Sequence, residues 1–103
     1  MKAVVREWGT MVLKHNLPIP VVGGSDILIS VKAAAINPVD YKLPSLILGR
    51  IVGLDFSGVV KSIGDDVTEF VVGDEVYGKV NGSLANYAIA KQEDINLILM
   101  YII

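Results

Sequence analysis

Apolar residues in this chain come in short runs cut apart by turn formers. Segments 2–8, 10–14, 26–36, 58–63, 75–80 and 84–90 are each rich in Val, Ile, Leu and Ala. Between them lie Trp8-Gly9-Thr10, Val22-Gly23-Gly24-Ser25, Gly64-Asp65-Asp66, Gly73-Asp74 and Asn81-Gly82-Ser83, the residue types that reverse a chain. Around 26–32 the apolar Ile27, Ile29 and Val31 alternate with Leu28, Ser30 and Lys32, close to the period of two expected of a half-buried strand. No window sustains apolar residues at i, i+3, i+4 and i+7, which argues against a helical bundle. Five or six short strands in so small a chain must manage their edges by closing up, so the pattern predicts a mainly β fold, a barrel or a sandwich.

One place reads as a helix start. Asn37 is a good N-cap and Pro38 sits at the first helical position, where its missing N–H costs nothing. Asp40 then meets the positive end of the helix dipole at the third position. The expectation is a single turn through Tyr41 and Lys42, ended by Pro44.

Composition narrows the class. The 103 residues make one domain, and a hydrophobic share of 52% against 19% charged excludes intrinsic disorder. There is no cysteine, hence no disulfide, thiolate zinc site, iron–sulfur cluster or thiol nucleophile. A net charge of −2 without any Lys/Arg run argues against nucleic acid as a partner. The longest apolar run, Ile95 to Ile103, contains Asn96 and is far shorter than the roughly 18 to 20 residues that cross a bilayer. No membrane span is expected. Arg6 and Glu7 interrupt any signal-peptide core, which gives a cytoplasmic reading.

Little of the chain suggests catalysis on residue chemistry alone. His15 is the only histidine and stands at the end of a predicted exposed strand, between Lys14 and Asn16. A general base needs a cleft and an orienting partner, and no serine carries a nucleophile-elbow pattern, so hydrolase chemistry is rejected. One His with scattered carboxylates such as Asp40 and Asp55 has no recognised metal-ligand spacing. Asp65-Asp66 and Glu93-Asp94 read as solvated loop charges. Gly23-Gly24 precedes a strand signal, and no G-x-G-x-x-G phosphate cradle occurs.

The most informative stretch begins with Ala33-Ala34-Ala35-Ile36-Asn37-Pro38-Val39-Asp40-Tyr41-Lys42. It continues through Gly53-Leu54-Asp55-Phe56-Ser57-Gly58-Val59-Val60, Ile63-Gly64, Val67 and Val72-Gly73-Asp74-Glu75-Val76-Tyr77-Gly78. With Met1-Lys2-Ala3-Val4-Val5 before it and Gly82-Ser83-Leu84-Ala85-Asn86-Tyr87-Ala88 after it, the order and spacing over residues 1 to about 95 resemble the N-terminal, GroES-like domain of medium-chain dehydrogenases/reductases. Within them the match resembles the zinc-independent branch of quinone oxidoreductases and related enone and enoyl reductases. Independently of that likeness, Gly53, Gly58, Gly64, Gly73 and Gly78 fall where strands begin, end or bend, places that call for positive φ or close backbone approach.

The resemblance implies a partly open β-barrel with one or two short helical turns, spanning residues 1–103 as a single domain without the nucleotide-binding Rossmann domain. Zinc-dependent relatives carry a Cys and a Gly-His-Glu motif where this chain has Asn37, Leu54 and Asp55, and their four-cysteine lobe is missing, so no zinc is expected at either site. The implied cofactor is NADPH, and the implied substrate is a small carbonyl compound or quinone. By the same resemblance Asn37 and Tyr41 are the catalytic candidates, Asn37 binding the substrate carbonyl and Tyr41 supplying a proton to the enolate, with Asn37 and Asp40 as cofactor-binding candidates. Read from the residues alone, Asn37 is equally a helix cap, Asp40 a first-turn carboxylate and Tyr41 a half-buried aromatic.

The family's nucleotide-binding half has no counterpart here, and the region between Lys42 and Gly49 is shorter than in many relatives. Two readings follow. In one, this is the substrate-side domain of a zinc-free NADPH-dependent quinone or enone reductase, truncated and inactive alone or completed by a separate Rossmann-domain partner. In the other, it is a non-catalytic GroES-like barrel that binds or oligomerises. The apolar segment Ile95 to Ile103 makes a poor free tail. It either adds a strand to its own sheet or pairs with another chain as a homodimer.

Overall fold

The computed structural model describes residues 1–36 and 50–98. Seven strands follow one another: β1 Ala3–Glu7, β2 Thr10–Lys14, β3 Ile27–Ala35, β4 Asp55–Ile63, β5 Glu75–Lys79, β6 Tyr87–Ala90 and β7 Ile95–Leu97. The helix among the described residues is a single 3₁₀ turn, Gln92–Asp94. β1 and β2 form a hairpin, and the other five make a sheet in the order β6-β3-β4-β5-β7. Every pairing is antiparallel.

The core follows the alternation in the sequence. Ile27 and Ile29 of β3, Phe56 and Val60 of β4, Val76 of β5, Ala88 and Ala90 of β6 and Ile95 of β7 point to one side, where Val67, Phe70 and Val80 complete a single buried cluster. Each large apolar side chain so buried contributes roughly 1.5–3 kcal/mol, and this cluster holds the curved sheet around itself. Gly78 shows why the close approach between β5 and β7 needs glycine: a Cβ there would overlap the Asp94 carbonyl and lie 3.0 Å from the Ile95 Cα.

The hairpin joins this sheet through irregular backbone. On the side of β1 away from β2, Arg6 N–H donates to the Arg50 carbonyl at 2.8 Å and Val52 N–H donates to the Val4 carbonyl at 2.8 Å. Val4 N–H donates to the Leu84 carbonyl, Asn86 N–H to Lys2 and Val31 N–H to Asn86, each at 2.9 Å. Residues 84–86 thus bridge from β1 to β3 and curl the sheet back on itself. Among the described residues no backbone bond reaches the outer edges of β2 and β7. The barrel is therefore partly open, as the resemblance implies.

Two segments differ most from the sequence reading. β4 starts at Asp55, three residues before the expected position 58, because Asp55, Phe56 and Ser57 are paired on both sides, by Ala35, Ala34 and Ala33 and by Lys79, Gly78 and Tyr77. The expected strand over 84–90 is two pieces, since 84–86 serves β1 while β6 pairs with β3. The turn expected at Asn37 to Lys42 lies outside the described residues. Of the two fates open to the tail, its first part takes the internal one: β7 pairs with β5, and Ile98 N–H donates to the Glu75 carbonyl at 2.9 Å.

Candidate substrate-side cleft

The residues singled out from the sequence, Asn37, Asp40 and Tyr41, also lie outside the described residues, and the residues on either side of them frame the site. On one side stands Ile36, just past the end of β3, and on the other Arg50. At that end of the sheet Ala35, Asp55 and Lys79 form one cross-strand row. Asp55 is its middle member.

The start of β4 is fixed from below by a buried lock. Ser83 is fully buried, and its hydroxyl donates to the Asp55 carbonyl at 2.9 Å. The carbonyl of Gly53 accepts from Gly82 N–H at 2.8 Å and Ser83 N–H at 3.2 Å, while Leu84 N–H donates to Val52 at 2.8 Å and Val80 N–H to Leu54 at 2.7 Å. Gly53 itself has φ +104, and a Cβ on it would overlap the Ser83 hydroxyl and approach the Leu84 nitrogen to 2.8 Å. Only glycine suits that place. Ser83 and Gly53 thus act as one fitted pair, and its consequence is a fixed position for Asp55.

Two cavities meet at Asp55. One, of about 260 Å³, is lined by Ala33, Ala34 and Ala35 of β3 and by Asp55, Phe56 and Ser57 of β4. The other, of about 420 Å³, is lined by Tyr77, Gly78 and Lys79 with Glu93, Asp94 and Asn96. The first is the candidate substrate cleft: its walls are small and largely apolar, it holds one carboxylate and one hydroxyl, and it borders the strand end that leads into Asn37. Among the described residues no three His, Asp or Glu side chains gather closely enough to hold a metal ion. At the Gly-His-Glu position, Leu54 offers no ligand atom.

A second, charged contact ties down Arg50, at the other end of the segment 50–55. Glu7 on β1 receives the Arg50 guanidinium at 2.9 Å and the Lys14 ammonium at 3.2 Å. The hydrogen bond from Arg50, then that from Lys14, holds its carboxyl below the ordinary glutamate value. Asp26 is likewise held low, first by Lys91 and then by the Gly23 N–H at 2.8 Å, but this pair lies at the start of β3, remote in sequence from the strand's cleft end. His15 follows β2 and is exposed, as its sequence position suggests.

The lock residue Ser83 has no signal of its own in the sequence. It sits inside a turn-like Asn81-Gly82-Ser83, where a serine needs no further explanation. What could have hinted at it is the pairing of two glycine-rich turns, around Gly53 and Gly82, both of which take positive φ.

Residues 23–99 match the family described as the alcohol dehydrogenase GroES-like domain. The chain belongs to this family. A trans-enoyl reductase of Pyricularia grisea is 41% identical over 73 residues, covering 69% of this chain and 20% of that protein. The quinone oxidoreductase of Coxiella burnetii superposes with a TM-score of 0.76 at 29% identity, over 96% of this chain and 37% of that one. The quinone oxidoreductase of Escherichia coli, solved in complex with NADPH, superposes with a TM-score of 0.83 over 96% of this chain and 33% of that one. At 16% identity it speaks for the fold alone. This GroES-like domain therefore spans from a fifth to under two fifths of the length of the proteins it matches. The medium-chain dehydrogenase/reductase relationship read from the spaced motifs holds, on the quinone oxidoreductase side.

Proposed function

We propose that this GroES-like domain is the substrate-side domain of a zinc-free, NADPH-dependent quinone or enone reductase, and that the 103-residue chain alone does not turn substrate over. The observation that carries the reading is the small-walled cleft at Ala33, Ala34, Ala35 and Phe56, built where β3 leads into Asn37 and held in place by the Ser83–Asp55 bond. Relatives named as trans-enoyl and quinone reductases support the substrate class.

The pyrophosphate of NADPH wants a glycine-rich turn opening a helix, whereas the helix among the described residues is a three-residue 3₁₀ turn with acidic Glu93 and Asp94. The described residues do not fit the phosphates of NADPH. On this reading this chain's part is confined to its own residues. The alanines leave room for a flat conjugated ring, and Asn37 would hydrogen-bond the carbonyl or the cofactor, with Asp40 beside it. Tyr41 would hold the proton that the enolate takes up. Leu54 in the place of a zinc ligand leaves oxygen charge to be met by hydrogen-bond donors.

The test is a pair of titrations followed by NMR on the intact chain. A flat water-soluble quinone is expected to shift the methyl signals of Ala33 and Ala35 and the backbone amides of Asp55 and Ser57 saturably at millimolar concentration, while NADPH gives no saturable shift in that range. Quinone shifts scattered away from this cleft, or micromolar NADPH binding, contradict the proposal. A second reading, a non-catalytic barrel that associates through its edges, is favoured by one observation, the outer edge of β2, which no backbone bond among the described residues reaches.

A further inference from the structure

The β1–β2 hairpin carries an unusual combination of features. Its two-residue turn is Trp8-Gly9, with φ of 51° and 78°. Both residues are left-handed, the requirement of a type I′ hairpin turn, whose first position normally holds Asn, Asp or Gly. A bulky aromatic there is strained, and Trp8 is also 98% exposed. Strain and full exposure at the same tryptophan place an aromatic anchor at the tip of the hairpin, without any packing gain within the chain.

Among the described residues no backbone group bonds the edge beside it, where the Met11 carbonyl accepts the Thr10 hydroxyl at a long 3.4 Å. Val4 and Arg6 direct their backbone bonds to Leu84 and Arg50, so the bonds of Ala3, Val5 and Glu7 face β2. It follows that Thr10, Val12 and Lys14 face back to β1, and the N–H and C=O groups of Met11 and Leu13 face outward. Natural edge strands are blunted by a free lysine, a proline, a bulge or shortness. β2 runs five residues in regular register, with no proline and no bulge. Its one lysine, Lys14, is held by Glu7 at 3.2 Å. Buried Ala3 and Val5 mark the inner face, so Leu13, 54% exposed, stands with Met11 and Val4 on the outer one.

From these features we infer that two copies of this chain associate through β2, antiparallel about a twofold axis at Val12. The occupant is a second copy because the edge complements itself. The outward groups of Met11 and Leu13 lie symmetrically about Val12, so Met11 of each copy meets Leu13 of the other and exchanges both backbone bonds. Thr10 then stands opposite Lys14, with no like charges opposed, and Trp8 comes beside Asn16 of the second copy. The resulting interface is small, so the dimer is weak, with a dissociation constant on the order of 100 µM.

Sedimentation of the intact chain from about 10 µM to 1 mM tests this, with Trp8, the sole tryptophan, as an internal probe. The weight-average mass is expected to rise toward twice the monomer, with a parallel blue shift of tryptophan emission. Leu13→Lys and, as a second variant on the same edge, Met11→Lys are expected to raise the dissociation constant at least tenfold while leaving the far-ultraviolet circular dichroism unchanged. Leu97→Lys, on the β7 edge, is expected to leave it within twofold. A chain that stays monomeric at 1 mM, a dimer that tolerates both β2 variants, or one abolished by Leu97→Lys overturns the inference.

Discussion

The segment 50–55 that enters β4 is held at its two ends by opposite means. Near Asp55 the contact is buried and neutral, Ser83 Oγ on a backbone carbonyl with Gly53 fitted beneath it. Near Arg50 it is exposed and ionic, Glu7 between Arg50 and Lys14. In water an exposed ion pair gains little, because solvent and salt screen it and two long side chains lose freedom. A buried polar group, by contrast, costs its full desolvation when its partner is removed. The cleft end is therefore built to be rigid, and the Arg50 end to be adjustable by salt and pH.

The largest loss is expected at Gly53. Gly53→Ala forces a Cβ onto the Ser83 hydroxyl and against the Leu84 nitrogen, both part of the surrounding framework, while φ stays near +104. Strain and overlap act together, and a loss of about 3 kcal/mol or more is expected in urea unfolding. Ser83→Ala is the milder probe of the same lock. It keeps the backbone bonds of residue 83 and removes only the donor to Asp55, for an expected loss of about 1–3 kcal/mol. Chemical-shift changes should concentrate at Asp55 and its neighbours Ala35 and Lys79. An unchanged unfolding midpoint in Ser83→Ala would show that the lock rests on Gly53 alone.

How much of this could be read from the chain differs between the two flanks. β3 was legible because the apolar Ile27, Ile29 and Val31 recur every second residue, although Leu28 between them is buried as well. The beginning of β4 was not, because Asp55-Phe56-Ser57 carries no β-branched residue and becomes strand only through partners on both sides, Ala33 to Ala35 and Tyr77 to Lys79. Nor was residue 84 separable from β6, since a run of apolar residues does not announce which neighbour each will bond. Ser83 looks like any turn serine until the fold brings Asp55 to it from 28 residues away. Asn37, Asp40 and Tyr41 were visible solely as members of a spaced family motif, and the described residues show the cleft beside that motif rather than the side chains themselves.

The smallest expected effect belongs to the ionic flank. Glu7 has its carboxyl held below the ordinary value by the Arg50 hydrogen bond and then by Lys14. A depressed carboxylate stabilises the fold at pH values above its unfolded value, and that contribution is lost as pH falls through the lower folded one. Removing the charge with Glu7→Gln should therefore lower the melting temperature slightly at pH 7 and low salt. The gap from the unaltered chain should close both as pH falls through the lowered folded value of Glu7, where the unaltered chain takes up its own proton, and in 1 M NaCl, where the pair is screened. Gly53→Ala and Ser83→Ala should show the opposite behaviour, with deficits that persist in high salt, because no charge takes part in their contact. If the Glu7→Gln deficit also survived 1 M NaCl, packing of the Glu7 stem rather than its charge would be what secures Arg50, and the two flanks would differ in exposure but not in kind.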